Sequence, residues 1–386
     1  MKMQLKFVLL LFGVLLMSLP GCKKNNESPP VCDGNHHITV TTQKVIATGL
    51  NDPRGLKFGP DGNLYVAEAG VGGTNYCSSC VQVVPPVGPY KGSNTGSRIL
   101  KIDRNGVLTT VVDHLPSSTY QAAVGGGVQG VADVQFIGNT LYAVLAGAGS
   151  SHAVPDIPNG VIKVNNNGTW NMVANCSEFL MAHPVAHPDP ADFEPDGTPY
   201  SMVRVGGDLY ITQPNQQEVD KINPATGKIS RIVDISILHD GEGGGWIGPT
   251  SMVYHHGDLY FGTLTPFPYV ADAASVYKLS ANGIYSVYAS GFTAILGIAF
   301  DNDNRLYVLE TIGLDSGKPG LSKIVRLDAD GTIETIASGL NLPSAMTFGP
   351  DGNLYVSAWG IGPAGAGEIL QIGFKCEEVH GDEDAQ

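Results

Sequence analysis

From residue 44 onward the chain is filled by short runs of alternating apolar and polar residues, separated by tight polar turns. Alternation with a period of two predicts strands with one buried face. Long stretches with a 3.6-residue period are absent. The clearest unit is Phe58-Gly-Pro-Asp-Gly-Asn-Leu-Tyr-Val66, which returns unchanged as Phe348-Gly-Pro-Asp-Gly-Asn-Leu-Tyr-Val356. An apolar run ends at the Phe, a Pro-Asp-Gly-Asn turn reverses the chain, and a new strand starts at the Leu, which is a β-hairpin pattern.

Weaker copies recur. Leu-Tyr dipeptides at Leu64, Leu141, Leu209, Leu259, Leu306 and Leu354 each follow a turn rich in Gly, Asn or Asp. In each unit an apolar strand a (Arg54–Phe58 in the first) precedes the turn and the Leu-Tyr strand b follows it. A second hairpin, strands c and d, then follows with turns such as Arg104-Asn105-Gly106 and Ala281-Asn282-Gly283. The sixth unit has a strand c, Glu368–Ile372, but no d. The missing strand lies at the other end: Val45-Ile-Ala-Thr-Gly-Leu50 matches the d-strand segment Thr335-Ile-Ala-Ser-Gly-Leu340. Residues 44–48 are therefore expected to pair with strand c of the last unit. Six four-stranded units closed by the first strand make an all-β, six-bladed β-propeller. An open solenoid is the rival, and it has no use for a displaced strand.

Spacing adds direction. The Leu-Tyr marks lie 77, 68, 50, 47 and 48 residues apart. The excess falls at 68–97 and 146–159 between strands b and c, and at 113–131 and 175–200 between d and the next a. Both loop types leave an antiparallel blade on the same side. The insertions therefore decorate one face, which marks that face for binding. The Tyr of each Leu-Tyr pair is expected to pack between blades.

Composition fits this reading. Gly (50) and Pro (25) supply the turns, and 15% of residues are charged. The net charge of −14 argues against nucleic-acid binding, which needs a basic face. Residues 1–21 read as a signal segment: Lys2 and Lys6 precede an apolar core from Phe7 to Leu19 that is short for a membrane span. It ends at Leu19-Pro20-Gly21-Cys22, which resembles a bacterial lipobox with Cys22 as the lipidated residue. Lys23 in place of Asp fits outer-membrane sorting by the same resemblance. The expected organisation is signal peptide 1–21, lipidated Cys22 with a flexible tether to 42, propeller 43–374 and an acidic tail 375–386. Attachment to the membrane is expected through the lipid alone, and the propeller is read as a monomer.

Five cysteines remain for an oxidising compartment. Cys77 and Cys80 lie in a glycine-rich loop and read as structural, bridged to each other or one of them to Cys176. Cys32 and Cys376 flank the ring closure, and a bridge between them would staple it.

The stretch Gly49-Leu-Asn-Asp-Pro-Arg-Gly-Leu-Lys-Phe-Gly-Pro-Asp-Gly-Asn-Leu-Tyr-Val-Ala-Glu-Ala-Gly70, followed by a glycine-rich loop with cysteines, resembles the ScyD/ScyE family. These are exported propellers named from the scytonemin sunscreen-pigment gene cluster. The resemblance covers residues 43–374. It implies the fold and export, and it brings no catalytic residues. The close spacing of Cys77 and Cys80 departs from the family's usual insertion.

Candidate site residues follow from the architecture. Strand a lines the channel and begins near the insertion face. Arg54, Gln129, Asp133 and Arg204 are its polar candidates, with Asp52, Ser201, Thr250, Ser251 and Ser344 beside them. Glu68, Glu310 and Trp359 end strands b, and Trp246 lies in the run Gly241-Glu-Gly-Gly-Gly-Trp246. Either Trp offers a stacking platform or packs between blades. Glu68, Asp133 and Glu310 together could hold a hard cation, as acids do in six-bladed lactonases, although the spacing does not require it. His183 and His187 stand four apart, but Pro184 and Pro188 argue against the helix that would align them. No nucleophile elbow or nucleotide loop is present. The expectation is a lipid-anchored propeller that binds an unknown small molecule or protein on the insertion face, with no cofactor. A metal-dependent lactonase-like hydrolase is the alternative. A quinone-dependent sugar dehydrogenase is a weaker third, without a visible His and Arg cluster.

Overall fold

The turns close where their residues demand. In the first hairpin Asp61 accepts the Asn63 N–H at Oδ1 and the Tyr65 hydroxyl at Oδ2, and in the last Asp351 does the same for Asn353 and Tyr355. The identical phrases thus form identical turns. A computed structural model describes residues 36–80, 88–120, 127–190, 194–238, 247–266, 269–311, 321–328 and 330–378, with backbone alone at 36–37 and 376–378.

Six antiparallel sheets stand in a ring as a six-bladed β-propeller. Blade 1 is Pro53–Phe58, Leu64–Glu68, Lys91–Ile102 and Leu108–Thr119; blade 2 is Val131–Ile137, Thr140–Leu145, Gly160–Val164 and Trp170–Asn175. Blade 3 is Met202–Val205, Asp208–Gln213, Glu218–Asn223 and Lys228–Asp234; blade 4 is Gly248–His255, Asp258–Leu264, Ala274–Leu279 and Tyr285–Phe292. Blade 5 is Ile295–Phe300, Leu306–Glu310, Ser322–Leu327 and Ile333–Leu340. Blade 6 is Ala345–Phe348, Leu354–Ala358 and Gly367–Glu378, completed by His36–Leu50. The expected closure is present, with Lys44 opposite Gln371 and Thr48 opposite Glu368. The ladder runs further than 44–48, from His36 opposite Glu378 to Leu50 opposite Gly367.

Alternation explains the core. The Leu of every Leu-Tyr pair is buried. The Tyr turns to the other face, and in four of the six pairs it meets the Phe ending strand a of the next blade; strands a of blades 3 and 4, which follow Tyr142 and Tyr210, have no Phe. Tyr65 packs on Phe136, Tyr260 on Phe300, Tyr307 on Phe348 and Tyr355 on Phe58, with ring centroids 4.9, 4.9, 5.1 and 4.9 Å apart. These edge-on contacts add to the burial that holds blade to blade.

The insertions have structure of their own. Lys91–Ile102 and Leu108–Thr119 pair well beyond the bare blade. A helix, Cys176–Ala182, opens the segment between blades 2 and 3, where the Asn175 side chain caps it by accepting the Glu178 N–H at 3.0 Å. It stops before Pro184, so His183 and His187 lie outside it. Cys77 and Cys80 form a disulfide with each other, and Cys176 is a free, buried thiol. The expected Cys32–Cys376 bridge, Trp246 and the lipidation residue Cys22 lie outside the described residues.

Candidate functional site

Most polar residues at the starts of strands a are clamps between neighbouring blades. Asp133 of blade 2 accepts the Met202 N–H of blade 3 at 2.8 Å. Ser201 Oγ accepts from Met252 N of blade 4, and Thr250 Oγ1 donates to Ile295 O of blade 5. Thr311 Oγ1 donates to Pro343 O, and Ser344 Oγ donates to Pro53 O at 2.6 Å, which joins blade 6 to blade 1. Each hydroxyl satisfies a backbone group that the sheets leave unpaired near the axis.

The three acids that could together have held a cation are engaged separately. Glu68 is fully buried, ion-paired to Arg98 and accepting the Asn51 N–H at 2.7 Å. Glu310 pairs with Lys323 at 3.0 Å and accepts the Thr293 N–H at 3.0 Å. Asp133 takes the Met202, Val134 and Ser201 donors. They belong to blades 1, 5 and 2, and the set does not fit one shared cation. Gln129 is half-buried and its carbonyl accepts from Ser117 Oγ. Arg204 is exposed, one residue before the a–b turn of blade 3 and away from the insertion side. Trp359 is half-buried against the apolar cluster of blades 5 and 6.

Arg54 differs from these. It is 9% exposed at the insertion-side mouth of the channel, and its Nη2 donates to Val128 O at 2.6 Å. Asp52, buried beside it, has its carboxyl pushed up to about 6 by burial, against the pull of Arg54 and a Gly362 N–H bond at 3.0 Å. Three phenols lie within electrostatic reach of the guanidinium: Tyr120, Tyr200 and Tyr269. Burial raises all three above the ordinary phenol range, so they remain neutral donors. Tyr200 stands beside Arg54, and its hydroxyl donates across the channel, from blade 3 to Ser344 O of blade 6. It closes the channel like a bar.

Below that bar the axis is nearly filled. The cavity lined by strands a of all six blades has about 30 Å³, room for about one water. Gly55 is required there, because a Cβ would stand 2.0 Å from Asp133 Oδ1. The open end of the channel is thus its insertion-side mouth, where Arg54 and Tyr200 form the floor and Tyr120 and Tyr269 lie within electrostatic reach of the guanidinium. Arg54 was legible in the sequence as a charged residue opening strand a. The tyrosines were not, since they come from irregular segments of three blades. Tyr200 alone carried a signal, as an aromatic residue directly before a channel-lining strand.

Next to Tyr120 lies a network of buried polar groups. Tyr90 packs edge-on to Tyr120 with centroids 6.1 Å apart and donates to Glu194 at 2.9 Å. His152 Nε2 stands 3.7 Å from Glu194, and Ser151 Oγ lies 3.3 Å from His152 Nδ1. This has the residue types of a nucleophilic triad, but Ser151 donates to Asp196 at 2.6 Å and neither Ser151 nor His152 has exposed surface. Burial pushes the His152 imidazole down to about 4. The network ties the insertions of blades 1 and 2 together and offers a substrate no access.

No family model matches the sequence, and no curated protein matches it. Solved structures do. A gluconolactonase from Xanthomonas campestris aligns at 10% identity over 90% of this chain and 97% of its own, with a TM-score of 0.50. A putative gluconolactonase aligns at 12% identity over 91% of this chain and 96% of its own, with a TM-score of 0.49. The PQQ domain of a pyranose dehydrogenase from Coprinopsis cinerea aligns at 12% identity over 90% and 98%, with a TM-score of 0.48. At these identities the likeness is one of fold.

Proposed function

We propose that this protein is a lipid-anchored cell-envelope propeller of the ScyD/ScyE type that binds a small oxygen-rich or anionic molecule at the insertion-side mouth. The observation that carries the reading is Arg54, a nearly buried guanidinium framed by Asp52 and three neutral phenols over a blocked channel. A guanidinium presents several donors in a fixed plane, and hydroxyls add donors and acceptors without charge. Such a floor recognises a carboxylate or a cluster of hydroxyls. The hydrolase reading loses its metal set, because Glu68, Asp133 and Glu310 are each spent on their own partners.

Calorimetric titration with gluconate, benzoate and glucose tests the site. At least one probe is expected to bind, with affinity falling tenfold or more in Arg54→Lys and several-fold in Tyr200→Phe. Equal affinity in wild type and Arg54→Lys would remove the site, as would silence from all three probes. A parallel pH-stat assay with gluconolactone is expected to show only the uncatalysed rate. Turnover would move the assignment to a hydrolase.

A further inference from the structure

Blade 3 carries an anomaly that the mouth does not explain. The strand register aligns the six blades on their Leu-Tyr residues. Two residues before the strand-c partner of that Leu, five blades have a buried apolar residue: Leu100, Ile162, Tyr277, Val325 and Leu370. Blade 3 has Asp220 there, with no exposed surface. Glu218, two residues earlier and so on the same face of the strand, is equally buried.

The neighbouring cross-strand pair is also unusual. In blades 1 and 5 the corresponding partners are acid and base, Glu68 opposite Arg98 and Glu310 opposite Lys323. In blade 3 Gln213 stands opposite Glu218. Its amide faces Asp220, it has no exposed surface, and among the described residues no group meets hydrogen-bond geometry with either of its polar atoms. Glu218 Oε1 and both Asp220 oxygens are in the same position. Unsatisfied atoms at this density are foreign to a native core. Two adjacent carboxylates are both acceptors, and neither can satisfy the other.

One proton resolves this. It turns the two acids into a donor and an acceptor, and it leaves one negative charge against one positive, that of Arg231. Arg231 Nε donates to Glu218 Oε2, while Nη2 reaches His183 O and Nη1 reaches Pro184 O. We propose that Glu218 and Asp220 bind one proton between them, and that this proton holds strands c and d of blade 3 to the helix Cys176–Ala182 and the turn after it. Four groups face the pair: Gln213 from strand b, Arg231 and Asp234 from strand d, and Cys176 from the helix. Asp234 is engaged by the Ala186 N–H at 2.8 Å and by Ser236. The Cys176 thiol is held well up by burial and by the two acids, so it stays neutral. Losing the proton puts two like charges in one buried site with a single counter-charge, which strongly disfavours the packed arrangement.

The sign follows from linkage. Burial, with Asp220 beside it, pushes Glu218 well above the ordinary carboxylate range. A carboxyl raised on folding binds more protons in the folded state. Its stabilisation is complete below the unfolded value and is lost as pH rises through the folded one. The pair titrates as a unit, and the window of interest is pH 7–9.

Unfolding of the purified full chain at pH 8 is expected to release about one more proton in wild type than in Asp220→Asn, whose amide donates to Glu218 permanently. The same variant should flatten the fall of the unfolding midpoint between pH 7 and 9. Infrared difference spectra should show a protonated-carboxyl carbonyl band in wild type at pH 7.5 that is missing from Asp220→Asn and from Glu218→Gln. If Asp220→Asn does not fold, the wild-type band and Glu218→Gln decide. Absence of the band overturns the proposal. So does a stoichiometric metal whose removal by chelator lowers the midpoint, since a cation would then hold the site.

Discussion

Asp52 shows how one side chain can set the character of the mouth. It sits in a left-handed backbone conformation with φ of 48°, its carboxyl next to the Arg54 guanidinium. Burial opposes its ionisation more strongly than Arg54 and the Gly362 N–H favour it, with Glu68 adding to the burden. A carboxyl raised from 3.8 to about 6 binds its proton more tightly folded than unfolded. Its contribution to stability is therefore full below pH 3.8 and lost as pH rises through about 6. Asp52→Asn should abolish that fall between pH 4 and 6, which thermal unfolding across the range would measure. The same change leaves Arg54 without its counter-charge, so anionic probes should bind the variant at pH 7 at least as tightly as wild type binds them at pH 5. A variant whose unfolding profile overlays wild type from pH 4 to 6 would remove Asp52 from this role.

At the scale of elements the hairpins were open to reading, and the site largely was not. A period-two alternation with a Gly-rich turn fixes which face is buried, because a one-residue slip would expose every Leu of the Leu-Tyr strands. The turn carries its own signal, since Asp61 and Asp351 bond residues two and four places on. Each carboxylate accepts three such bonds within its turn, and Asp351 takes a fourth from Gln371, so Asp61→Ala should cost about 1 kcal/mol or more and Asp351→Ala at least as much, read as shifts in denaturant midpoint. A smaller shift for Asp351→Ala would show that the matching phrases do different work. The mouth had no such signal, because Tyr120, Tyr200 and Tyr269 meet only after the blades close into a ring. Glu68 and Glu310 present the opposite case. Their placement at strand ends was right, but their partners Arg98 and Lys323 lie on strand c, across a loop of unpredictable length. Asp220 was legible only by comparison between blades, as an acid where the others keep an apolar residue.

For the molecule as a whole, the ring depends on a strand that the chain makes first and uses last. His36–Leu50 pairs with Gly367–Glu378, and Leu50 and Ala47 are buried in the seam with Leu56, Val66 and Ile369. Blade 6 is otherwise three strands whose outer edge would be free. A bare edge recruits other chains, so removing residues 36–50 should yield soluble oligomers or aggregate in place of monomer in sizing experiments. The other five blades have complete sheets and most of the ring contacts, so the deletion should leave them able to form. A synthetic peptide of residues 36–50 should then restore the monomer by adding its strand to the open edge. Joining the natural ends and reopening the chain at the exposed Ala281-Asn282-Gly283 turn of blade 4 should be tolerated, because that change keeps every strand pair while moving the termini. A deletion variant that stays monomeric and unfolds at the wild-type midpoint would show that the blades hold the ring without the seam. The ordering of channel mouth and insertions would then rest on the Tyr–Phe contacts and the hydroxyl clamps between blades alone.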